Sequence, residues 1–314
     1  MWELLQLLAE QVGILLIYIA IGYILRRSKI LPESAGHTVS LLLTYIFSPA
    51  YIIVNISGNF RMEVLTEKLV ILGYGVLLAV IIVVSGQLLG RLLGCSRSKV
   101  EKSSLIYAYT FSNFGYFGYP VLEGTFGTAF LADFLVFVIP TNLLCYSYGY
   151  VLFQDNKRFQ PLRLLKTPMI LGVIIGVVLG LSGLQLPGIA QSVLSGTAAC
   201  MSPCAMLMVG FVMGKFSLKH LFSGVRPYLL VLIRMVGLPV VIGGLLWLCG
   251  MHGQLLYYFL VFLCMPLGMN LVVYPESLGF EKVAEENAKA GFISYVLSLV
   301  ILPCVLSVAS KLCM

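Results

Sequence analysis

Long apolar segments recur along the whole chain, and the charged residues gather in the short stretches between them. Each segment is about 20 residues long, which is the length that an α-helix needs to cross the hydrocarbon core of a bilayer. The pattern therefore predicts an all-α membrane protein with ten transmembrane helices. The predicted spans lie at about 4–25, 34–57, 68–93, 102–124, 128–153, 168–184, 191–214, 227–249, 253–274 and 284–310.

The fourth span contains residues that weaken a helix in its middle. Residues 112–120 include an amide (Asn113), two glycines (Gly115 and Gly118) and a proline (Pro120). Proline lacks the backbone N–H, and glycine raises the entropic cost of a helix. Since unpaired backbone groups cannot face lipid, a break here must be buried in protein or line a cavity, and such breaks mark binding sites in transporters. The alternative is a packing kink that brings helices close together.

The ninth span carries a similar set of residues, Pro266, Gly268 and Asn270. We predict that the fourth and ninth helices are broken, that they cross, and that they enclose one central site. An amide both donates and accepts hydrogen bonds, and the N-terminal ends of half-helices supply partial positive charge that suits an anion. For Asn270 alone, the alternative is an interhelical hydrogen bond.

A short motif occurs in both halves of the chain. Residues 47–50 (Phe-Ser-Pro-Ala) in the second span are similar to residues 201–204 (Met-Ser-Pro-Cys) in the seventh. Five spans in each half place the two halves in opposite orientations, as an inverted repeat requires. We therefore predict a 5+5 inverted repeat. Its parts are a first five-helix repeat at 1–153, a cytoplasmic connecting loop at 154–167 and a second five-helix repeat at 168–314.

Composition excludes an ordinary soluble domain. Hydrophobic residues make up 60% of the chain and charged residues only 11%, against about 25% charged in soluble domains. The net charge of +7 does not indicate nucleic-acid binding, because 16 of the 20 Lys and Arg residues lie in the odd-numbered connections. Basic residues accumulate in cytoplasmic loops. We therefore predict a multi-pass protein of the cell (inner) membrane with both termini outside.

Few ionisable or catalytic side chains lie within the spans. Arg234 is the basic residue well inside a span, and it either pairs with an anionic solute or snorkels to the lipid headgroups. Ser48 and Ser202 are candidates for an anion or coupling role, unless the prolines beside them only kink their helices. Glu123 and Asp133 are relay candidates or part of a solvated turn. With no carboxylate at mid-membrane, the coupling ion, H⁺ or Na⁺, stays open.

The same residues argue against an enzyme. The three histidines (His37, His220 and His252) lie at span ends or in loops. No Ser/His/Asp set and no metal-ligand cluster falls within the predicted membrane spans. We therefore expect neither catalysis nor a metal or other cofactor.

Two motifs resemble those of a known transporter family. Asn113-x-Gly115-x-x-Gly118-x-Pro120, followed by Phe126-Gly127, resembles the fourth-helix signature of the auxin efflux carrier family. Residues 265–270, followed by a Glu/Lys-rich stretch, Ser294, Ser298 and Pro303, are similar to the last two helices of that family. The resemblance covers nearly the whole chain. Because the chain lacks the long central loop of many plant carriers, it resembles the prokaryotic branch.

The resemblance implies a ten-helix inverted repeat related to the bile-acid symporter architecture. In that arrangement helices 1, 2, 6 and 7 form a scaffold, through which we expect a homodimer, and helices 3–5 and 8–10 form a transport domain. The family implies elevator-type movement of small organic anions, auxin in plants and malate or other carboxylates in prokaryotes. The expected substrate-binding residues are Asn113, Gly115, Gly118, Pro120, Pro266, Gly268 and Asn270. The alternative is a ligand-gated channel or a membrane sensor with the same fold.

Overall fold

The computed structural model describes residues 2–59, 61–153, 168–184 and 186–313, and this part of the chain is built from helices with no β-strand. Its one β-type contact is an isolated bridge between two single residues. The predicted connecting loop at 154–167, with its four basic residues, lies outside the described residues.

Fourteen helical elements follow one another in the described chain. We label them α1 (Trp2–Arg27), α2 (Ala35–Asn59), α3 (Met62–Leu93), α4 (Lys99–Thr110), α5 (Phe114–Phe137), α6 (Ile139–Tyr146), α7 (Tyr148–Val151), α8 (Pro168–Ser182), α9 (Gly188–Met213), α10 (Leu218–Leu221), α11 (Arg226–Leu248), α12 (Gly253–Cys264), α13 (Asn270–Ser277) and α14 (Glu281–Cys313).

Seven of these helices are long and apolar enough to cross a membrane: α1, α2, α3, α5, α9, α11 and α14. Helices α8 and α12 are apolar but shorter. An integral multi-pass helical protein is therefore confirmed. The count of ten spans and the 5+5 inverted repeat stay predictions.

The largest difference from the predicted elements lies between residues 99 and 151. Two spans were expected there, whereas the chain forms α4, α5, α6 and α7. Helix α4 ends at Thr110 because Phe111 adopts an extended conformation. Within α5, Gly127 has φ 81° and ψ 175°, a conformation that glycine adopts at little cost and other residues avoid. The helix changes direction at that glycine.

Prolines shape three helices by widening the turn that precedes them. A proline has no N–H to bond the carbonyl four residues earlier, and its ring would clash with that carbonyl, so a π-helical turn relieves the conflict. The five-residue π-helical turns are Leu43–Phe47, Phe114–Gly118 and Ile233–Gly237, and the prolines that follow them are Pro49, Pro120 and Pro239. These prolines therefore distort helices without ending them.

Small residues allow the closest helix contacts. A β-carbon added to Gly22 of α1 would lie 2.0 Å from the Leu207 carbonyl oxygen of α9, and one added to Gly172 of α8 would lie 3.1 Å from the Pro49 carbonyl oxygen of α2. Such glycines let membrane helices approach without a side chain between them. Helix α1 is thereby packed on α9, which is the seventh predicted span, and α2 is packed on α8, which is the sixth predicted span. Helix α14 packs against α1, α11, α12 and α13, which places its middle in the core.

Candidate functional site

Two non-helical segments meet in the core of the protein. One is Phe111–Asn113, between α4 and α5, and the other is Met265–Met269, between α12 and α13. Ser112 and Leu267 form an antiparallel bridge, and the backbone N–H of Asn113 donates to the Pro266 carbonyl oxygen at 2.7 Å. Backbone groups released from both helices are thus paired with each other, which meets the requirement that buried N–H and C=O groups find partners. We call this pairing the junction.

Two consecutive residues of α14 support the junction. The Ser294 hydroxyl accepts from the Leu267 N–H at 3.1 Å and donates to the Gly291 carbonyl at 2.7 Å. The Tyr295 hydroxyl accepts from the side-chain amide of Asn113 (Nδ2) at 2.6 Å and lies 3.4 Å from the Leu267 carbonyl, to which it donates. Both side chains are buried. The Asn113 amide therefore has a fixed orientation.

Asn270 lies on the other side of the junction, as the first residue of α13. Its Nδ2 donates to the Tyr274 hydroxyl at 3.2 Å and lies 3.9 Å from the Cys145 sulfur. The same sulfur is 3.2 Å from the Tyr107 hydroxyl. Unlike Asn113, Asn270 is only half-buried. Its amide is held by longer contacts than that of Asn113.

Both asparagines line one small cavity of about 40 Å³. Its walls are formed by Tyr107, Ser112, Asn113, Phe114, Gly115, Tyr116, Asn142, Cys145, Met169, Gly268, Met269 and Asn270. None of these lining residues carries a charge at neutral pH. The cavity has room for one or two water molecules, whereas small-molecule sites usually measure about 300–1,000 Å³. An organic solute would need the walls to separate.

The expected site residues divide between the cavity wall and its surroundings. Asn113, Gly115, Gly268 and Asn270 line the cavity. Of the others, Pro266 contributes its carbonyl to the junction. A β-carbon added to Gly118 would touch the Met265 sulfur at 3.4 Å. Pro120 lies in the first α-helical turn after the π-helical turn of α5, whereas the preceding helix α4 already ends at Thr110.

The helix ends around the cavity favour negative charge. Helix α13 begins at Asn270, and α5 begins at Phe114. The first N–H groups of a helix have no partner within it and carry partial positive charge. Both N-terminal ends reach the cavity through Phe114, Gly115 and Asn270. The wall therefore offers amide and N–H donors with no carboxylate to compete with an anion.

Comparison with known proteins identifies the family. A family model described as "Membrane transport protein" matches residues 7–161 and 156–306. The chain belongs to this family, that of the auxin efflux carriers.

A relative from Methanothermobacter thermautotrophicus (strain Delta H), named an uncharacterized transporter, is 25% identical over 305 residues, which cover 94% of this chain and 96% of the relative. The resemblance seen in the two motifs is therefore confirmed, and the family is one of membrane transporters rather than enzymes.

Arg234 lies outside the cavity of this transporter-family chain. It is completely buried, and its Nη1 donates to the Leu263 carbonyl at 2.6 Å, in the last turn of α12. Its guanidinium carbon is 5.9 Å from the ring centroid of Phe262. A cation at a helix C-terminus bonds a carbonyl that lacks an intrahelical partner. The snorkelling alternative is wrong, because the guanidinium does not reach the surface. Its Nε and Nη2 have no partner among the described residues.

Neither serine of the repeated Ser-Pro motif lines the cavity. Ser48 is fully buried next to a π-helical turn, and within the described chain its hydroxyl has no hydrogen-bond partner. Ser202 is half-buried in α9, just after Cys200, where the helix Gly188–Ala199 gives way to Met201–Met213. Both motifs thus coincide with helix distortions.

The relay candidates Glu123 and Asp133 are both bonded to other side chains. Glu123 accepts from the Tyr51 hydroxyl at 2.5 Å. Asp133 forms an ion pair with Lys68, and its other oxygen accepts from the Tyr258 hydroxyl at 3.1 Å. Lys68 is 8% exposed. These carboxylates tie α5 to α2, α3 and α12, so the interpretation as a merely solvated turn is wrong.

Several side chains at the site were not singled out as functional from the sequence. They include Tyr295, Cys145, Asn142 and Tyr107. Tyr295 is 182 residues from Asn113 in the chain, so only the fold brings them together. Asn142 donates to the Tyr119 hydroxyl at 3.2 Å. The sequence offered one signal for such a residue, an amide side chain within an apolar segment. Asn142 shows that signal as clearly as Asn113 does.

Proposed function

We propose that the protein is a secondary transporter that moves a small organic anion across the membrane by an elevator-type mechanism. The expected solutes are carboxylates such as malate, or auxin-like acids. The observation that carries this proposal is the junction, where Asn113 and Asn270 face one cavity between two helix starts. Membership in a transporter family supports the general activity, and the chemistry of the cavity supports an anion.

A carboxylate suits this cavity for two reasons. The side-chain amides of Asn113 and Asn270 can each donate to one of its oxygens. The N–H groups that open α5 and α13 add partial positive charge from opposite sides. A hydrogen bond to a charged group contributes about 1.5–3 kcal/mol. Two amides are therefore sufficient for a binding site that must also release its solute.

Movement of a packed group of helices is needed because the cavity, at about 40 Å³, is too small for an organic solute. The contact of Gly22 joins α1 to α9 at close range, and that of Gly172 joins α8 to α2. The first half of α9 also packs against α2, which connects the two pairs. We propose that these helices form the scaffold, through which the protein forms a homodimer. The elements that build the junction, α4, α5, α12, α13 and α14, belong to the transport domain. The protein lies in the cell (inner) membrane with both termini outside, the orientation favoured by the distribution of basic residues.

The test replaces Asn113 by alanine. We expect half-saturation of uptake to rise about ten- to a hundredfold, the equivalent of one lost hydrogen bond to a charged oxygen. Counterflow of labelled malate and labelled indole-3-acetate into proteoliposomes measures the change. Asn55→Ala is the matched control, since Asn55 is similarly buried, its side-chain amide donates to the Tyr51 carbonyl, and it does not line the cavity.

Two results would count against the proposal. Uptake by Asn113→Ala equal to that of the wild type would remove the site from the cavity. Flux that neither saturates nor responds to solute on the opposite side would indicate a channel instead of a transporter.

A further inference from the structure

A second and larger cavity of about 380 Å³ opens where α4, α11 and α14 begin. It shares no lining residue with the small cavity at the junction. One wall is apolar and includes Leu93, Leu229 and Ile233, and the rim carries Arg97, Arg226 and Lys282. We call this cavity the basic groove.

The basic residues of the rim exceed the acidic ones. Glu101 is already engaged, because its carboxylate accepts from the Ser98 N–H at 3.0 Å and from the Ser98 hydroxyl at 2.8 Å, and Arg97 lies 3.9 Å away. These hydrogen bonds lower the pKa of Glu101. Arg226 and Lys282 are exposed, and within the described chain neither forms an ion pair closer than 4 Å. The positive charge of Arg226 also contributes to the lowered pKa of Glu101, but it does so without a direct contact.

The second acidic side chain in the groove is also occupied. The Glu286 carboxylate accepts from the Lys289 ammonium at 2.6 Å. Both acidic side chains of the groove are thus bonded within the protein, whereas two of its three basic side chains are available to a ligand.

Three helix starts add to the positive charge. Helix α4 begins at Lys99, α11 at Arg226 and α14 at Glu281, all at the groove. These helices have at least three turns each, so their N-terminal ends carry the partial positive charge of the helix dipole. The groove therefore favours an anion at its rim.

The apolar wall indicates what kind of anion fits. Leu93 is 46% exposed and Leu229 is 53% exposed, and Leu232, one turn further along α11, is 47% exposed. Leu229 lines the groove about one turn beyond Arg226 on α11, and Leu232 follows on the same helix, whereas Leu93 lies at the end of α3 beside the basic rim. A small polar anion such as phosphate gains nothing from such a wall, whereas a lipid covers it with an acyl chain.

We propose that the basic groove binds an anionic phospholipid, with the phosphate between Arg226 and Lys282 and an acyl chain along the leucines of α11. Basic pockets between membrane helices are the expected sites for anionic headgroups. The lipid would bridge α4, α11 and α14 at one end of the helices that build the junction. This inference does not rest on the transport activity, because the ligand is a lipid and the readout is binding.

The experiment measures lipid binding to the full-length protein in detergent by native mass spectrometry. Phosphatidylglycerol is the anionic probe, phosphatidylcholine the zwitterionic one and glycerol 3-phosphate the soluble one. In the double variant Arg226→Gln/Lys282→Gln, we expect the affinity for phosphatidylglycerol to fall about tenfold or more. Binding of phosphatidylcholine should stay unchanged.

A second double variant, Arg27→Gln/Lys219→Gln, controls for net charge. It removes one arginine and one lysine that are exposed and lie outside the groove, and we expect its affinity to stay within about twofold of the wild type. The proposal is overturned if the groove variant binds phosphatidylglycerol like the wild type, or if both double variants lose the same affinity. Displacement of the lipid by equimolar glycerol 3-phosphate would overturn it in favour of a soluble anion.

Discussion

Replacing Tyr295 by phenylalanine removes a single hydroxyl from the centre of the junction. That hydroxyl accepts from the Asn113 side-chain amide at 2.6 Å and donates to the Leu267 carbonyl at 3.4 Å. The phenylalanine ring keeps the shape of the side chain and its packing on Phe117, 5.7 Å away between ring centroids. The substitution therefore changes hydrogen bonding and leaves no cavity larger than the lost oxygen.

The size of the effect follows from these two contacts. The bond to Leu267 is long, beyond the usual range for O–H···O, and contributes little. The bond from Asn113 is short, and its loss leaves an amide donor in a residue that is only 4% exposed. An unsatisfied buried donor costs about 1–3 kcal/mol. If the Asn113 amide must keep its orientation to bind solute, half-saturation rises by about tenfold, because 1.4 kcal/mol corresponds to a factor of ten.

The assay pairs thermal unfolding in detergent with counterflow of labelled malate in proteoliposomes. Tyr257→Phe is the matched control, since Tyr257 is equally buried and donates to the Leu306 carbonyl at 3.3 Å, away from the junction. Tyr257→Phe should leave half-saturation unchanged, whereas Tyr295→Phe should change both half-saturation and stability.

A double-mutant cycle with Asn113→Ala tests the reasoning directly. Once Asn113 has lost its amide, removing the Tyr295 hydroxyl should cost no more than a few tenths of a kcal/mol in stability. We therefore expect a coupling energy of about 1 kcal/mol or more, typical of residues in contact. Additive effects of the two substitutions would refute the claim that Tyr295 orients Asn113.

Two further predictions concern the frame around the site. Gly22→Ala should strongly lower the thermal midpoint, because the new β-carbon would lie 2.0 Å from the Leu207 carbonyl oxygen. Gly13→Ala on the same helix is the control and should be neutral, since a β-carbon there would have nothing within 4 Å. Equal thermal midpoints of the two variants would contradict the packing of α1 on α9. Arg234→Met should leave stability within about 1 kcal/mol, since losing the bond to Leu263 is offset by removing a buried charge with unpaired donors. A loss of several kcal/mol would show that the charge has a partner.

The membrane helices were predictable because their signal is summed over many residues. The first span was expected at about 4–25 and forms Trp2–Arg27, and the third was expected at about 68–93 and forms Met62–Leu93. The transfer free energy of about 20 apolar side chains is large, so errors at single positions do not matter. The ends moved outward because charged residues such as Arg26 and Arg27 were assigned to the connections.

The helix ends at the site were less predictable. Glycine and proline suggested a break near Gly115–Pro120, whereas α4 ends at Thr110. Pro120 instead follows a π-helical turn, which accommodates a proline without ending the helix. The extended conformation at Phe111–Asn113 depends on its pairing with Pro266 and Leu267, more than 150 residues later in the chain. Local propensity carries no information about that partner, or about Tyr295.

The two asparagines are held differently, and this difference assigns them different parts in the proposed function. The backbone N–H of Asn113 is bonded to Pro266 at 2.7 Å and its amide to Tyr295 at 2.6 Å. Asn270 is half-buried, and among the described residues its amide has the 3.2 Å bond to Tyr274 and the 3.9 Å contact with Cys145. A group fixed before binding loses little entropy when the solute arrives, whereas a loosely held group adjusts to it. Asn113 is therefore the preoriented donor, and the cavity must enlarge on the Asn270 side, since parting the junction itself would leave buried backbone groups unpaired.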